Sequence, residues 1–342
     1  ILRGKKQTTT PKLIAGDIGA LSKLQYTSTG DSLCEIGKVV QYDSIDFPAP
    51  QISLAVYAKK AGDEDKVFSG LARLCEEMPD VIVAKDPMTT ETLISGQGEL
   101  ELEIVRQKLQ SKFGAEAVFK DPKIAYRESI RKTIQVQGRH KKQSGGSGQF
   151  GRVIGYIEPM DYEGPVKHEF VNRMVGNNIP PEFLPAIEKG FNEAIEKGRL
   201  LGYPVTGIRF VLLDGQSHSV DSNEIAFRTA AKMAVLESMM QANPMLLEPL
   251  MSVEIDVPQE FQGAIIGGLN RRKGAILSTN SDDRGFVTVE AEVPLASMFG
   301  YSTELRSNTQ GQGEFTMEFK TLSKVPRNVV EEMIKKAKSG GK

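Results

Sequence analysis

The 342-residue chain has only two cysteines, Cys34 and Cys75, far apart in sequence. No disulfide framework can be built from them, so a reducing compartment is the default. Three histidines, His140, His168 and His218, complete a thin supply of metal ligands, and no CxxC, HxxxH or HExxH spacing occurs. No metal site is expected from that set. No apolar run approaches the roughly 20 residues that a membrane-spanning helix needs, and no amino-terminal secretory pattern is present, so no membrane partner is expected. The Gly-x-x-x-x-Gly-Lys-Ser/Thr loop that cradles nucleotide phosphates is also missing. Gly145-Gly146-Ser147-Gly148 approaches the GxSxG nucleophile pattern but fails it, because Gln149 fills the fifth position. The chain by itself is therefore expected to carry no catalytic residue and no cofactor. A net charge of -1 argues against a uniformly basic nucleic-acid binder and leaves local patches to decide the partners.

What the chain does have is length and pattern. It exceeds the size at which single cores usually stop growing, so two to four domains are expected. Residues 1–46 read as short strands with turn signals at Gly16-Asp17, Gly30-Asp31 and Gly37-Lys38. Pro48 and Pro50 punctuate a boundary. Beyond them a strand at 51–57 precedes a helix over 64–78, where Val67, Leu71, Leu74 and Met78 recur at helical spacing. Strands at 81–84 and 92–95 follow. A helix from about Gly98, with Leu102, Val105, Leu109 and Phe113 on one face, and a strand at 117–119 complete the order β-α-β-β-α-β. That order predicts a ferredoxin-like domain, two helices on one face of an antiparallel sheet.

The same order returns with strands at 250–257, 276–279, 287–293 and 315–319, a helix at 261–271 and an irregular helix at 295–307. Between the two copies, strands are expected at 133–137, 152–159 and 208–213. A helix opening at Pro180-Pro181-Glu182 has Phe183, Ile187, Phe191 and Ile195 at helical spacing. Another covers about 222–241, with Phe227, Ala231 and Ala234 on one face and Asp221 or Ser222 as its N-cap. A short amphipathic helix at 327–338 precedes a Lys/Gly-rich tail.

Loops carry the functional signal. Between Arg131 and Arg152 lie six Lys/Arg residues (Arg131, Lys132, Arg139, Lys141, Lys142, Arg152), plus His140, and no acid. Within that stretch sits Gln143-Ser144-Gly145-Gly146-Ser147-Gly148-Gln149. Small residues let a backbone approach a partner closely, and flanking cations attract phosphate oxygens. Taken alone, the same stretch is equally a flexible hairpin with a solvated basic rim. Asn270-Arg271-Arg272-Lys273, at a helix end, forms a second basic cluster, which the helix dipole explains without any partner. His218 lies in a polar strand-to-helix connection, open to a role as base, ligand or bystander.

Four stretches together resemble the elongation factor G family. They are Leu93-Ile94-Ser95-Gly96-Gln97-Gly98-Glu99-Leu100, His140-Lys141-Lys142-Gln143-Ser144-Gly145-Gly146, Val220-Asp221-Ser222-Asn223-Glu224-Ile225-Ala226-Phe227, and Pro294 through Arg306, containing Met298-Phe299-Gly300-Tyr301-Ser302-Thr303-Glu304-Leu305-Arg306. The resemblance implies an α+β multidomain chain: the end of a β-barrel second domain (1–46), ferredoxin-like third (48–121) and fifth (247–325) domains, an elongated fourth domain with a ribosomal-protein-like βαβ fold (122–246), and a C-terminal helix and tail (326–342). It implies a tip formed by Gln143, Ser144, Gly145, Gly146, Ser147, Gly148, Gln149 and His218, with Asn177 and Asn178 of the Gly176-Asn177-Asn178 turn, flanked by Arg139, His140, Lys141 and Lys142. Asn270, Arg271, Arg272 and Lys273 would face large-subunit rRNA.

The implied partners are the ribosome, through rRNA of both subunits, and tRNA–mRNA, with the factor a monomer in the bacterial cytoplasm or an organelle. GTP and Mg are expected of an intact family member, in a GTPase domain outside this chain, and ribosomal translocation is the expected activity. A recycling paralogue, a tetracycline-type ribosomal protection protein and a hydrolase using His218 are the alternatives. Ser219 follows His218, where the family often has an aspartate.

Overall fold

The computed structural model describes residues 2–4, 6–143, 148–164 and 166–339. The chain divides into two compact units, one of Ile1–Lys85 with Thr92–Lys120 and one of Asp86–Glu91 with Asp121–Lys342. Each folds around its own apolar clusters.

The first unit opens with β1 (Leu2–Arg3) paired to β2 (Lys6–Gln7). Up to residue 50 only an isolated bridge, Glu35 to Lys38, is added among the described residues. The expected turns form, with Gly16, Gly30 and Gly37 at positive φ, but the expected strands between them do not. The physical reason is exposure: Ile18, Tyr26 and Ile36 are all more than 90% accessible, so no apolar face is buried to hold a ladder together. No closed barrel is present among the described residues.

Then come β3 (Ile52–Ala58), α1 (Glu64–Glu77), β4 (Ile82–Lys85), β5 (Thr92–Gly96), α2 (Glu99–Phe113) and β6 (Ala117–Lys120). They form an antiparallel sheet in the order β4-β5-β3-β6. Val67, Leu71 and Leu74 of α1 and Leu102, Val105 and Leu109 of α2 are buried against Val56 and Ile94. This is the ferredoxin-like arrangement that the helical and strand periodicities predict.

The second unit begins its ladders with β7 (Arg127–Ser129), β8 (Ile134–Lys142), β9 (Gln149–Pro159) and β10 (His168–Asn172). A 3₁₀ turn, Pro181–Phe183, leads into α3 (Leu184–Ile195), followed by β11 (Ile208–Gln216) and α4 (Glu224–Ser238). The sheet order is β10-β11-β9-β8, with β10 and β11 parallel and α3 as their crossover. The sequence pattern does not predict β10, whose side chains are half-buried or exposed without clean alternation. Phe191, Phe210 and Phe227 are fully buried between this sheet and the two helices. Helix α4 rides close on the β8–β9 hairpin, because a Cβ at Gly138 would run into the Ala230 carbonyl and one at Gly151 would meet Ala226 and Phe227 backbone atoms at 3.0–3.1 Å.

The chain continues through β12 (Met245–Pro258), α5 (Gln262–Arg271), β13 (Ala275–Ser281), β14 (Phe286–Pro294), α6 (Tyr301–Asn308), β15 (Glu314–Lys324) and α7 (Arg327–Ser339). The order β13-β14-β12-β15 repeats the ferredoxin-like topology, and β7 adds to the start of β12. The expected domain boundary at 246/247 therefore falls inside one continuous strand. Its first five residues are all buried and alternation starts only at Met251, so periodicity places the strand start too late.

Candidate nucleic-acid interface

Strands β8 and β9 pair along their full length, placing Lys142 opposite Gln149, Lys141 opposite Phe150, His140 opposite Gly151 and Arg139 opposite Arg152. In the middle of β8 the positions toward α4, Val136 and Gly138, are buried, whereas Arg139, Lys141, Lys142 and Gln143 are exposed. Among the described residues, Arg139, Lys141 and Lys142 form no ion pair. The Arg139 guanidinium lies 6.0 Å from the Phe150 ring centre, a loose cation–π contact. The sixth cation, Arg152, is held by Gln137 (3.0 Å) and Gln216 (3.1 Å) rather than by a carboxylate. Ser144, Gly145, Gly146 and Ser147 lie outside the described residues.

The connection from β11 to α4 closes on the end of this hairpin. The Gly148 N–H donates to Asp221 Oδ1 at 3.0 Å, and the Phe150 N–H donates to the Asp221 carbonyl at 2.7 Å. Ser222 Oγ accepts from the His218 N–H (2.8 Å) and donates to the Phe150 carbonyl (2.9 Å). His218 Nδ1 accepts from the Val220 and Asp221 N–H groups at 3.3 and 3.2 Å, and its ring meets Phe150 edge-on at 6.4 Å. Its side chain is 54% exposed. Gln149 bonds His140 Nε2 at 2.9 Å.

The turn containing Asn177 and Asn178 joins the same end. Asn178 donates to Asp214 at 2.9 Å, and the Ser217 hydroxyl donates to the Asn178 carbonyl at 2.9 Å. The Asn178 amide, aided by the Gly215 N–H and by Arg152, holds the Asp214 carboxyl below its ordinary range. Asn177 is exposed. Hairpin, Asn turn and histidine turn thus form one contiguous surface.

One expectation at this site is corrected. The N-cap of α4 is Asn223, whose Oδ1 accepts from the Ala226 N–H at 2.8 Å, and not Asp221 or Ser222. Both of those are committed to the hairpin instead.

The second cluster divides. The Arg272 guanidinium binds Glu304 (3.0 Å through Nε), the Phe299 carbonyl (3.1 Å) and the Ser297 carbonyl, and lies 5.2 Å from the Tyr301 ring centre. Hydrogen bonds from Arg272, then from Arg271, hold the Glu304 carboxyl below the ordinary glutamate range. With its side chain only 19% exposed, Arg272 is a clasp inside its own domain. Asn270, Arg271 and Lys273 remain exposed. Lys273 takes the left-handed position (φ 61°) of a Schellman motif, its N–H reaching Asn270 and the Gly274 N–H reaching Leu269. Glycine usually occupies that position.

Sequence reasoning read Asp221 and Ser222 as helix caps and missed their bonds to the hairpin, and it missed Phe150 altogether, which only its adjacency to Gln149 could have found. Among the described residues no group of His, Cys, Asp or Glu could hold a metal ion, and no helix is long and apolar enough to cross a membrane.

Comparison with known proteins agrees with this architecture. Residues 47–121 match the family model "Elongation Factor G, domain III", 122–243 match "Elongation factor G, domain IV", and 245–333 match "Elongation factor G C-terminus". Among solved structures, a crystal structure of a protein from Thermus thermophilus is similar with TM-score 0.77 at 35% identity, over 89% of this chain and 46% of that one. The chain thus spans less than half the length of that protein. With three consecutive models of one family running from residue 47 to 333, the chain belongs to the elongation factor G family.

Proposed function

We propose that this chain is the ribosome-contacting arm of a translocation factor, whose fourth-domain tip enters the decoding region and holds tRNA–mRNA in the advanced register. The observation that carries the reading is the clasped surface at the hairpin end. It joins three exposed cations without carboxylate partners (Arg139, Lys141, Lys142) to an exposed imidazole and to the Asn177–Asn178 turn. Such a surface matches phosphate oxygens and base edges of structured RNA. Gln143, Ser144, Gly145, Gly146, Ser147, Gly148 and Gln149 are proposed to touch the tRNA–mRNA, and Asn270, Arg271 and Lys273 the large-subunit rRNA. In the intact factor, GTP and Mg in a separate GTPase domain would gate arm placement. A monomer acting in the bacterial cytoplasm fits this role.

The test is His218→Ala and Gln143→Ala in the full-length factor, timed for translocation. A slowed step with ribosome binding retained supports the tip, and an unchanged rate refutes it. Neutralising Lys141 and Lys142 should lower the salt slope of ribosome binding by about one for each phosphate left without its cation. Ser219 favours a second reading, a recycling paralogue, in which His218→Ala would impair subunit splitting and leave translocation untouched.

A further inference from the structure

We infer that Asp221 is a positioning residue of the tip, fastening the hairpin end to the histidine turn and holding the His218 imidazole in the tautomer whose free donor is Nε2–H. The inference rests on the proposed nucleic-acid role of the tip. It deepens that role by stating which chemistry the imidazole can recognise.

Asp221 bonds in three directions. Its carboxylate takes the Gly148 N–H at 3.0 Å, its carbonyl takes the Phe150 N–H at 2.7 Å, and its own N–H points at His218 Nδ1 from 3.2 Å. One residue therefore ties both sides of the contact surface, across 73 positions of sequence. Ser222 repeats the link through its hydroxyl, which accepts from the His218 N–H and donates to the Phe150 carbonyl. Tied at this many points, Gly148 and Phe150 of the hairpin and the histidine turn form one constellation rather than two independent segments.

The imidazole follows from the same bonds. A ring nitrogen that accepts from two N–H groups carries no proton, and in a neutral imidazole the proton then sits on the other nitrogen. His218 Nδ1 accepts from the Val220 and Asp221 N–H groups, so the proton is on Nε2. Asp221 Oδ2 stands 3.5 Å from Nδ1 without a hydrogen bond between them, because the two backbone donors face that lone pair. Among the described residues Nε2 has no partner, and the side chain is 54% exposed. The tip therefore offers a preoriented N–H donor. It fits a phosphate oxygen, a 2′-hydroxyl oxygen or a base carbonyl, and it rejects a donor such as an exocyclic amino group.

The test uses this chain with 15N-labelled histidine. Only three histidines are present, and His218 is assigned by the signal lost in His218→Ala. Long-range 1H–15N correlations should show Nδ1 bare and Nε2 protonated in the wild type. In Asp221→Ala exchange of the Gly148 amide should speed up by roughly 10- to 100-fold, as loss of a charged hydrogen bond requires, while Nδ1 stays bare because the two backbone donors remain. Asp221→Asn keeps an oxygen acceptor for Gly148 and should restore its slow exchange. A protonated Nδ1 in the wild type, or an Asp221→Ala chain with unchanged Gly148 exchange, overturns the assignment. The wild-type and Asp221→Asn measurements stand even if the alanine variant fails to fold.

In the full-length factor, Asp221→Ala should slow translocation as far as His218→Ala does, with the double variant within about twofold of either. Independent, multiplying effects would refute action through His218. A wild-type rate for His218→Ala would sink the functional reading alone and leave the tautomer result where the spectra put it.

Discussion

Glu128 offers the sharpest stability prediction, because one buried carboxylate holds an entire loop. The residue is 2% exposed. Its Oε1 accepts the N–H groups of Leu201 (2.7 Å), Gly202 (2.8 Å) and Tyr203 (3.1 Å), and Oε2 accepts that of Leu200 (2.9 Å). The backbone reinforces the grip, with the Glu128 N–H bonded to the Pro204 carbonyl and the Thr206 N–H bonded to the Glu128 carbonyl. Since β7 also pairs with β12, this residue ties the loop at 198–206 to the strand that runs on into the carboxy-terminal sheet. Even the missing side chain of Gly198 belongs to the arrangement, for a Cβ there would collide with the carboxylate.

Glu128→Ala strands those four N–H groups. An unsatisfied buried amide costs about 1–3 kcal/mol. Gly202 is exposed and can turn to water, so the cost does not multiply fully. A loss of about 3–5 kcal/mol is expected, in the range for removing one partner of a buried charged network. Glu128→Gln should cost less, about 1–3 kcal/mol, since its one oxygen can serve the three donors at Oε1 and only Leu200 then faces the amide NH₂. Hydrogen exchange resolved by peptide is the suitable assay, because a multi-unit chain has no single unfolding free energy. Exchange across 198–206 should accelerate in the order wild type, Gln, Ala. A glutamine variant worse than alanine, or an unchanged loop, would refute the reasoning.

Two further predictions concern the elements that frame the proposed surfaces. Because the Glu304 carboxyl is depressed in the folded state, the unfolded chain binds more protons as pH drops below the ordinary glutamate value of about 4.3. The stability from the Arg272–Glu304 clasp is therefore fully present above that value and lost as pH falls through the folded one. Denaturation followed in the carboxy-terminal domain should show wild type more stable than Glu304→Gln at pH 7, with the advantage shrinking as pH falls below the ordinary glutamate value. Gly138→Ala should push α4 off the hairpin and cost about 1–3 kcal/mol, read as a lower thermal midpoint. An unchanged midpoint would mean that α4 does not need the close approach.

Much of this was legible in the sequence where periodicity was strong. Val67, Leu71 and Leu74, or Leu102, Val105 and Leu109, announce helices whose buried faces the structure confirms. Both ferredoxin-like domains could be read from the order of such segments. The start of β12 was not, because strands buried on both faces lose the alternation that marks them. Residues 8–46 illustrate the converse: turn residues fix local direction, but a strand needs a neighbour that local sequence does not supply. At the candidate site, the small and basic residues were visible in sequence, whereas the clasp was not. Asp221 reads as a helix cap by type and position, and only the approach of β9 turns its carboxylate toward Gly148.

The two basic clusters show what an acid-free stretch of sequence can and cannot mean. Asn270-Arg271-Arg272-Lys273 also lacks a neighbouring acid, yet the fold delivers Glu304 from 32 positions beyond Arg272. On the hairpin the partners across the ladder are Arg152 for Arg139, Phe150 for Lys141 and Gln149 for Lys142, and α4 brings none of its carboxylates within ion-pair range of these cations. Two arginines directly opposite each other work against pairing. Glutamines hold the two terminal nitrogens of Arg152 by neutral hydrogen bonds, and no carboxylate pairs with it within ion-pair distance among the described residues. A hairpin selected for stability alone would place a carboxylate across from one of them. Retained positive charge at the end of a tightly packed sheet is therefore a cost to the free protein, offset when an external polyanion supplies the missing negative charge.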